Sequence, residues 1–234
     1  MTKPWMIDEL VYAGPEHLEP AFVAGFDRKQ GCPDPAEDLA ALREHGVGQG
    51  CTVVDLGAGT GRFALAVAPE VARVVAVDVS PAMLAVVEER VARAGLSNVE
   101  CVRAGFLSYE HTGPPADAVF SRNALHQLPD FWKALALDRI AGMLRPGGVL
   151  RLHDLIFDFQ PAVADAVLGA WLEGAADDPS FGYTRDDFAQ HVRTEFSTFR
   201  WLFEPMLSVA GFDIVTADFD GQVYGAYTCV RVRP

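Results

Sequence analysis

The sequence predicts an α/β fold, a doubly wound, mostly parallel sheet that ends in an antiparallel hairpin. Three observations carry this. Strand-like and helix-like segments alternate from about residue 50 to 153, a glycine-rich loop joins the first such pair, and the last two apolar runs lie too close together for a crossover helix.

Taken in order, "CTVVDL" is a continuous apolar run ending in an acid, and "RFALAVAPEVA" after it has helical composition. "RVVAVDV" repeats the strand pattern. In "SPAMLAVVEERVARAG", Ser80 at the N-cap, Pro81 in the first turn and Gly95 past the end predict a helix. "NVECVRAGF", "ADAVFSR" and "GGVLRLHDL" read as three more strands. Between the last two, "DFWKALALDRIAGMLRPGG" is a helix stopped by Pro146 and two glycines. Strands without alternation are buried on both faces, so helices cover both sides of the sheet. Near the end only "DGQ" separates Ile214 to Phe219 from Tyr224 to Val232, which makes the last strand antiparallel.

Two regions lie outside the alternation, within what is expected to be a single domain over residues 1–234. Residues 1–45, rich in aromatics, are expected to form an N-terminal helical cap, and residues 155–205 a helical insertion that covers substrate. In the insertion Val163, Val167, Leu168, Trp171 and Leu172 form one stripe, and a second helix is expected after Thr184 with Asp187 as its capping-box acid. Ligands of open α/β sheets sit outside the carboxyl ends of the strands, where both segments would form a roof.

Composition narrows the partners. Nineteen basic against 32 acidic residues give a net charge of −13, which opposes nucleic-acid binding. No apolar stretch reaches the roughly 18 residues of a membrane helix, and "MTKPWMIDEL" reads as neither signal peptide nor anchor. Cys32, Cys51, Cys101 and Cys229 are far apart, without a paired ligand spacing, and are expected as small core residues in a reducing cytoplasm. The expectation is a soluble, cytoplasmic chain with no nucleic-acid or membrane partner; monomer and homodimer both stay open.

The loop "GAGTG" discriminates by its spacing. A phosphate-cradling loop needs G-x-x-x-x-G-K-[ST], whereas Gly57 is followed five residues later by Arg62 and then Phe63. A dinucleotide fingerprint would put its third small residue at Arg62, whose bulk opposes close packing of helix on strand. Asp55, just before the loop, would repel a pyrophosphate but suits an ammonium group. Asp78, ending the second strand, can accept both hydroxyls of a ribose. A ribose beside a cationic amine describes S-adenosylmethionine (SAM).

On "VVDLGAGTGRFA", "VVAVDVSPAMLAVVEER", "ADAVFSRNALHQL" and "LRPGGVLRLHD", in that order over about residues 50 to 155, the chain resembles a class I, Rossmann-like, SAM-dependent methyltransferase of the small-molecule type. The resemblance implies a seven-stranded sheet with an antiparallel last strand. It implies that the backbone of Gly57, Ala58, Gly59 and Gly61 approaches the methionine part of SAM, that Asp55 meets its amine, that Asp78 takes the ribose, and that Val79 and Met83 pack on adenine. One departure stands out: Gly105 occupies the place of an acid common near the adenine amine, which leaves the adenine to the backbone there and to Phe106.

Methyl transfer from a sulfonium is an in-line displacement needing alignment, exclusion of water and sometimes a base. His126, after the fourth strand, is the candidate base; Arg122 on the same turn is expected at the methionine tail. Asn123, His126 and His153 are expected on the substrate side, with Tyr12 from the cap and Trp201 from the insertion. His17, Phe26 and Lys29 are candidates to close over the cofactor, Lys29 as a partner for its carboxylate. No metal is expected; at His153 and Asp154, the site that raises the question, the fourth strand ends in Ser121 and Arg122 rather than an acid. The expected reaction moves the methyl group to O, N or C of a small apolar or aromatic acceptor, leaving S-adenosylhomocysteine. The rival readings are a non-catalytic, regulatory SAM-binding protein and an NAD-dependent oxidoreductase, the latter opposed by Asp55 and Arg62.

Overall fold

The structure, a computed structural model, describes residues 3–14 and 17–232. Its strands are β1 (Thr52–Leu56), β2 (Arg73–Asp78), β3 (Val99–Arg103), β4 (Ala116–Arg122), β5 (Leu144–Phe157), β6 (Thr198–Phe199), β7 (Phe212–Asp220) and β8 (Tyr224–Arg231). Seven of them lie side by side in the order β3-β2-β1-β4-β5-β8-β7, and the two-residue β6 pairs with the end of β5. The first five pair in parallel, while β8 runs antiparallel to both β5 and β7. The sequence expectation of a mostly parallel, seven-stranded sheet with an antiparallel last strand holds. Strand order reverses between β1 and β4, which opens a crevice at their carboxyl ends.

Helices cover the two faces. On one, α4 (Arg62–Val67) and α5 (Pro81–Ala94) pack Phe63, Ala64, Val67 and Val87 on Val53, Val74, Ala76 and Phe120. On the other, α6 (Asp130–Met143) and α9 (Arg200–Ala210) pack Leu137, Ile140, Phe203 and Leu207 on Val54, Val75, Leu150 and Leu152. Both faces of the central strands are therefore dry, which is why those strands show no polar alternation. The cap of α5 is as the sequence implies: Ser80 Oγ accepts the Met83 N–H at 3.1 Å, and Gly95 ends the helix at φ 64°.

Outside the sheet lie α1 (Glu9–Tyr12), α2 (Pro20–Lys29) and α3 (Ala36–Glu44) before β1, and α7 (Ala164–Glu173) and α8 (Arg185–Thr194) after β5. The Thr184–Asp187 capping box forms at the start of α8. In α7, Val167, Leu168 and Trp171 pack on a small cluster of Leu155, Phe157, Phe159 and Val223. The insertion is shorter than the expected 155–205 at its far end, because Phe203 and Leu207 tie α9 into the main core. The cysteine expectation is corrected too: all four thiols are free, but only Cys229 is buried, Cys51 and Cys101 are half-buried and Cys32 is exposed. No helix among the described residues is long and apolar enough to cross a membrane.

Candidate functional site

The loop from β1 into α4 sits at the point where strand order reverses. Its backbone is turned inward: the Gly57 and Ala58 N–H groups donate to Val77 O at 2.9 and 3.0 Å, Gly59 donates to Asp78 Oδ2 at 2.8 Å, and Gly61 donates to Ala58 O at 2.9 Å. A phosphate cradle needs such groups free and aimed at the ligand, so this loop is built for close approach and not for a phosphate. Gly57 takes a positive φ of 74°, and a Cβ there would overlap the Cβ of Ala124 on the turn after β4.

Asp55 faces the cleft from the end of β1. The residue is 2% exposed, and its Oδ2 accepts no hydrogen bond. Burial, followed by repulsion from Asp78, pushes its carboxyl up to about 8. A buried carboxyl with one oxygen unpartnered beside a glycine loop suits a cation, and the amine of SAM fits it. Asp78 accepts the Gly59 and Ser80 N–H groups, each at 2.8 Å, one on each oxygen. Each oxygen keeps a lone pair for a ribose hydroxyl. Burial raises its pKa against those hydrogen bonds.

Val79, Met83, Ala104, Gly105 and Phe106 line the end of the cleft beyond Asp78. Gly105 is where the sequence departs from the pattern, and a carboxylate occupies the space that its missing side chain leaves. It belongs to Glu9 of α1: a Cβ on Gly105 would overlap the Glu9 carboxylate. Glu9 accepts the Leu107 N–H at 3.0 Å and the Ser108 hydroxyl at 2.8 Å, and burial raises its pKa.

The roof is held by the loop it covers. Asp27 of α2 accepts the Thr60 hydroxyl at 2.5 Å and pairs with Arg90 at 2.7 Å, and the Arg62 guanidinium donates to Pro33 O at 3.1 Å. The Phe26 ring lies over Gly59. Gln30 donates to the Tyr183 hydroxyl at 2.7 Å and Lys29 pairs with Asp187 at 3.2 Å, which joins the N-terminal cap to the insertion.

The comparisons agree with this geometry. Residues 53–148 match the family model described as a methyltransferase domain. An uncharacterized methyltransferase of Mycobacterium tuberculosis is 34% identical over 98 residues, 42% of this chain and 47% of the relative. The chain thus spans about half the length of the curated relatives it matches. Among solved structures, magnesium protoporphyrin IX methyltransferase from Synechocystis with bound SAM superposes with a TM-score of 0.66 at 14% identity, covering 98% of this chain and 100% of that one. A SAM-dependent methyltransferase from Aquifex aeolicus superposes at 0.63 and 19% identity, covering 92% and 99%. Residues 53–148 thus carry a methyltransferase domain, on a fold shared with SAM-dependent methyltransferases.

On the β4 side of the cleft, Arg122, Asn123, Ala124, Gln127 and Leu128 form one wall. Arg122 pairs with Asp38 of α3 at 3.2 Å, and Asn123, at a positive φ of 49°, lies 3.4 Å from Gln30. His126, the expected base, does not line this wall. Its ring is buried with Nδ1 on Asp154 at 2.5 Å and Nε2 on Glu195 at 3.0 Å. With only protein around it, burial opposes its charge, yet the two carboxylates push its pKa up to about 9, the wrong direction for a base at neutral pH. His153 is likewise engaged, on Asp38. Tyr12 packs on Phe196, and Trp201 is half exposed on α9, stacked on Phe199; neither lines the cleft.

Glu9 and Asp38 line the cleft and are candidate site positions that sequence reading missed. Asp38 is 1% exposed and takes Arg151 Nε at 2.8 Å besides Arg122 and His153; burial alone would raise its pKa, but His153 and Arg151 hold it below the usual range. The signal for Asp38 is Arg151 itself, a charge inside an apolar strand that requires a buried partner. Nothing in the sequence locates Glu9, because a glycine reveals a vacancy without revealing its occupant.

Proposed function

We propose that the whole chain transfers the methyl group of SAM to a nucleophilic O, N or C atom of a small apolar or aromatic molecule. The observation that carries the cofactor half is the orphaned, buried Oδ2 of Asp55 beside a loop whose N–H groups are turned inward. SAM supplies an electrophilic methyl group on sulfur; transfer breaks that S–C bond, forms the acceptor–methyl bond and leaves S-adenosylhomocysteine. Asp55 holds the amine, Asp78 the ribose hydroxyls, and Gly57 to Gly61 let the methionine part lie against the backbone. Val79, Met83 and Phe106 pack on the adenine, with Gly105 admitting Glu9 to its edge. Arg122 and Asn123 orient the methionine tail and the acceptor.

The acceptor half rests on the roof. Phe26, Pro33, Pro35 and Phe120 face the cleft with the neutral amides of Gln30, Asn123 and Gln127, which suits an apolar molecule with few charges. The net charge of −13 opposes a nucleic-acid acceptor, and the acidic chain with free cysteines suits the cytoplasm. His126 is directed away from the cleft, so alignment and exclusion of water carry the rate, and the acceptor's proton passes to solvent.

Isothermal titration with S-adenosylhomocysteine tests the cofactor, with one saturable site expected; NAD binding in its place would overturn the reading. Transfer of labelled methyl groups to a panel of small aromatic alcohols and amines tests the chemistry, and labelling of RNA alone would contradict the acceptor class. Glu9→Ala is expected to weaken S-adenosylhomocysteine about tenfold, roughly 1.4 kcal/mol. Glu9→Gln, which keeps an acceptor oxygen, should lose less; equal affinity in all three proteins would remove Glu9 from the adenine edge.

A further inference from the structure

Away from the cleft, three side chains that the transfer does not use converge. His126 stands on the turn after β4, and His191 and Glu195 lie one turn apart at the end of α8. One ligand atom from each lies within 4.8 Å of the other two. Both imidazoles have their outer nitrogen held: His126 Nδ1 by Asp154 at 2.5 Å, and His191 Nε2 by the Ser197 hydroxyl at 2.8 Å. The inner nitrogens, His126 Nε2 and His191 Nδ1, both approach Glu195 Oε2, the first at 3.0 Å. That oxygen is buried and accepts no hydrogen bond of good geometry despite two nitrogens beside it. The Gln127 amide stands 3.2 Å from His126 Nε2.

Asp154 can only accept, so His126 donates from Nδ1 and its Nε2 lone pair can face inward; with Nε2 donating to the Ser197 hydroxyl, His191 Nδ1 faces inward in the same way. One divalent cation seated among them would answer both inner nitrogens and the Glu195 carboxylate at once. Two imidazoles and one carboxylate are the donor set that holds Zn²⁺ with a position left for water, and a carboxylate behind a ligating histidine is the usual support. The sequence reading expected no metal in the chain; this cluster departs from that expectation, with Asp154 placed behind His126.

We propose that His126 Nε2, His191 Nδ1 and Glu195 bind one Zn²⁺-class divalent ion, with Asp154 and Ser197 orienting the two rings. The ion joins the helical insertion to the turn after β4, next to Gln127 on the wall of the cleft.

The test uses the untagged full chain, stripped with EDTA and titrated with Co²⁺ as a visible probe. One equivalent should bind with the d–d absorption of a four-coordinate nitrogen and oxygen site and be displaced by Zn²⁺. His191→Ala and Glu195→Gln, on a helix without buried residues, should each weaken Co²⁺ at least tenfold while circular dichroism stays unchanged. Absence of saturable Co²⁺ uptake by the wild type, or wild-type uptake by both variants, would overturn the proposal. None of these readouts involves SAM, so failure here leaves the methyltransferase reading untouched.

Discussion

Asp55→Asn should melt at a higher temperature than the wild type at pH 8 and bind S-adenosylhomocysteine at least thirtyfold more weakly. The sign follows from the raised carboxyl, which burial moves from the ordinary 3.8 to about 8. Between those values the unfolded chain has given up a proton that the folded chain keeps, so wild-type stability falls as pH rises from about 4 to about 8 and levels off above. Each pH unit across that interval is worth about 1.4 kcal/mol, and after relaxation around so buried a group the gain in the variant is on the order of 2–3 kcal/mol. The loss in affinity comes from the same atom, since the uncharged amide no longer answers an ammonium. In the wild type near neutral pH, ligand binding should expel up to about one proton from Asp55, read from titrations in two buffers of different ionisation enthalpy. A variant with unchanged melting slope and unchanged affinity would show that Asp55 is not the cationic subsite.

Gly57→Ala should destabilise the fold by about 3 kcal/mol, combining the left-handed backbone with overpacking against Ala124. Ala124→Gly in the same chain removes the Cβ that the new methyl group meets. The double variant should therefore recover about half of the lost stability, leaving the backbone part, while Ala124→Gly alone loses less than about 1 kcal/mol. Denaturant unfolding of the four proteins closes the cycle. Strict additivity would mean that the loop does not press on the turn after β4. That contact matters for function because Ala124 shares its turn with Arg122 and Asn123.

The strands and the acids that flank the glycine loop are legible in the sequence because local chemistry determines both. Continuous apolar runs can only be buried strands, "DGQ" can only be a turn, and Asp55 and Asp78 sit in fixed positions relative to strand ends. What stays hidden depends on contacts between distant segments. The imidazole of His126 is turned from the cleft by Asp154 and Glu195, 28 and 69 positions further on. Trp201 reads as part of a substrate wall because aromatics surround it, yet α9 is held by Phe203 and Leu207, and their helical phase leaves Trp201 on the outside. Gly105 reads as a loss, whereas a residue from the opposite end of the domain fills its place.

The Asp38 cluster also bears on how the chain acquires its shape as it leaves the ribosome. Asp38 is made early, and Arg151 and His153 follow 113 and 115 residues later. Until then its carboxylate has no buried cation among β5 residues, and holding α3 against the growing sheet would strand a charge away from water. Full burial of α3 is therefore expected only once β5 has been synthesised. A nascent chain halted before Arg151 carries the glycine loop, Asp55 and Asp78, but its Asp38 still lacks two of its three partners.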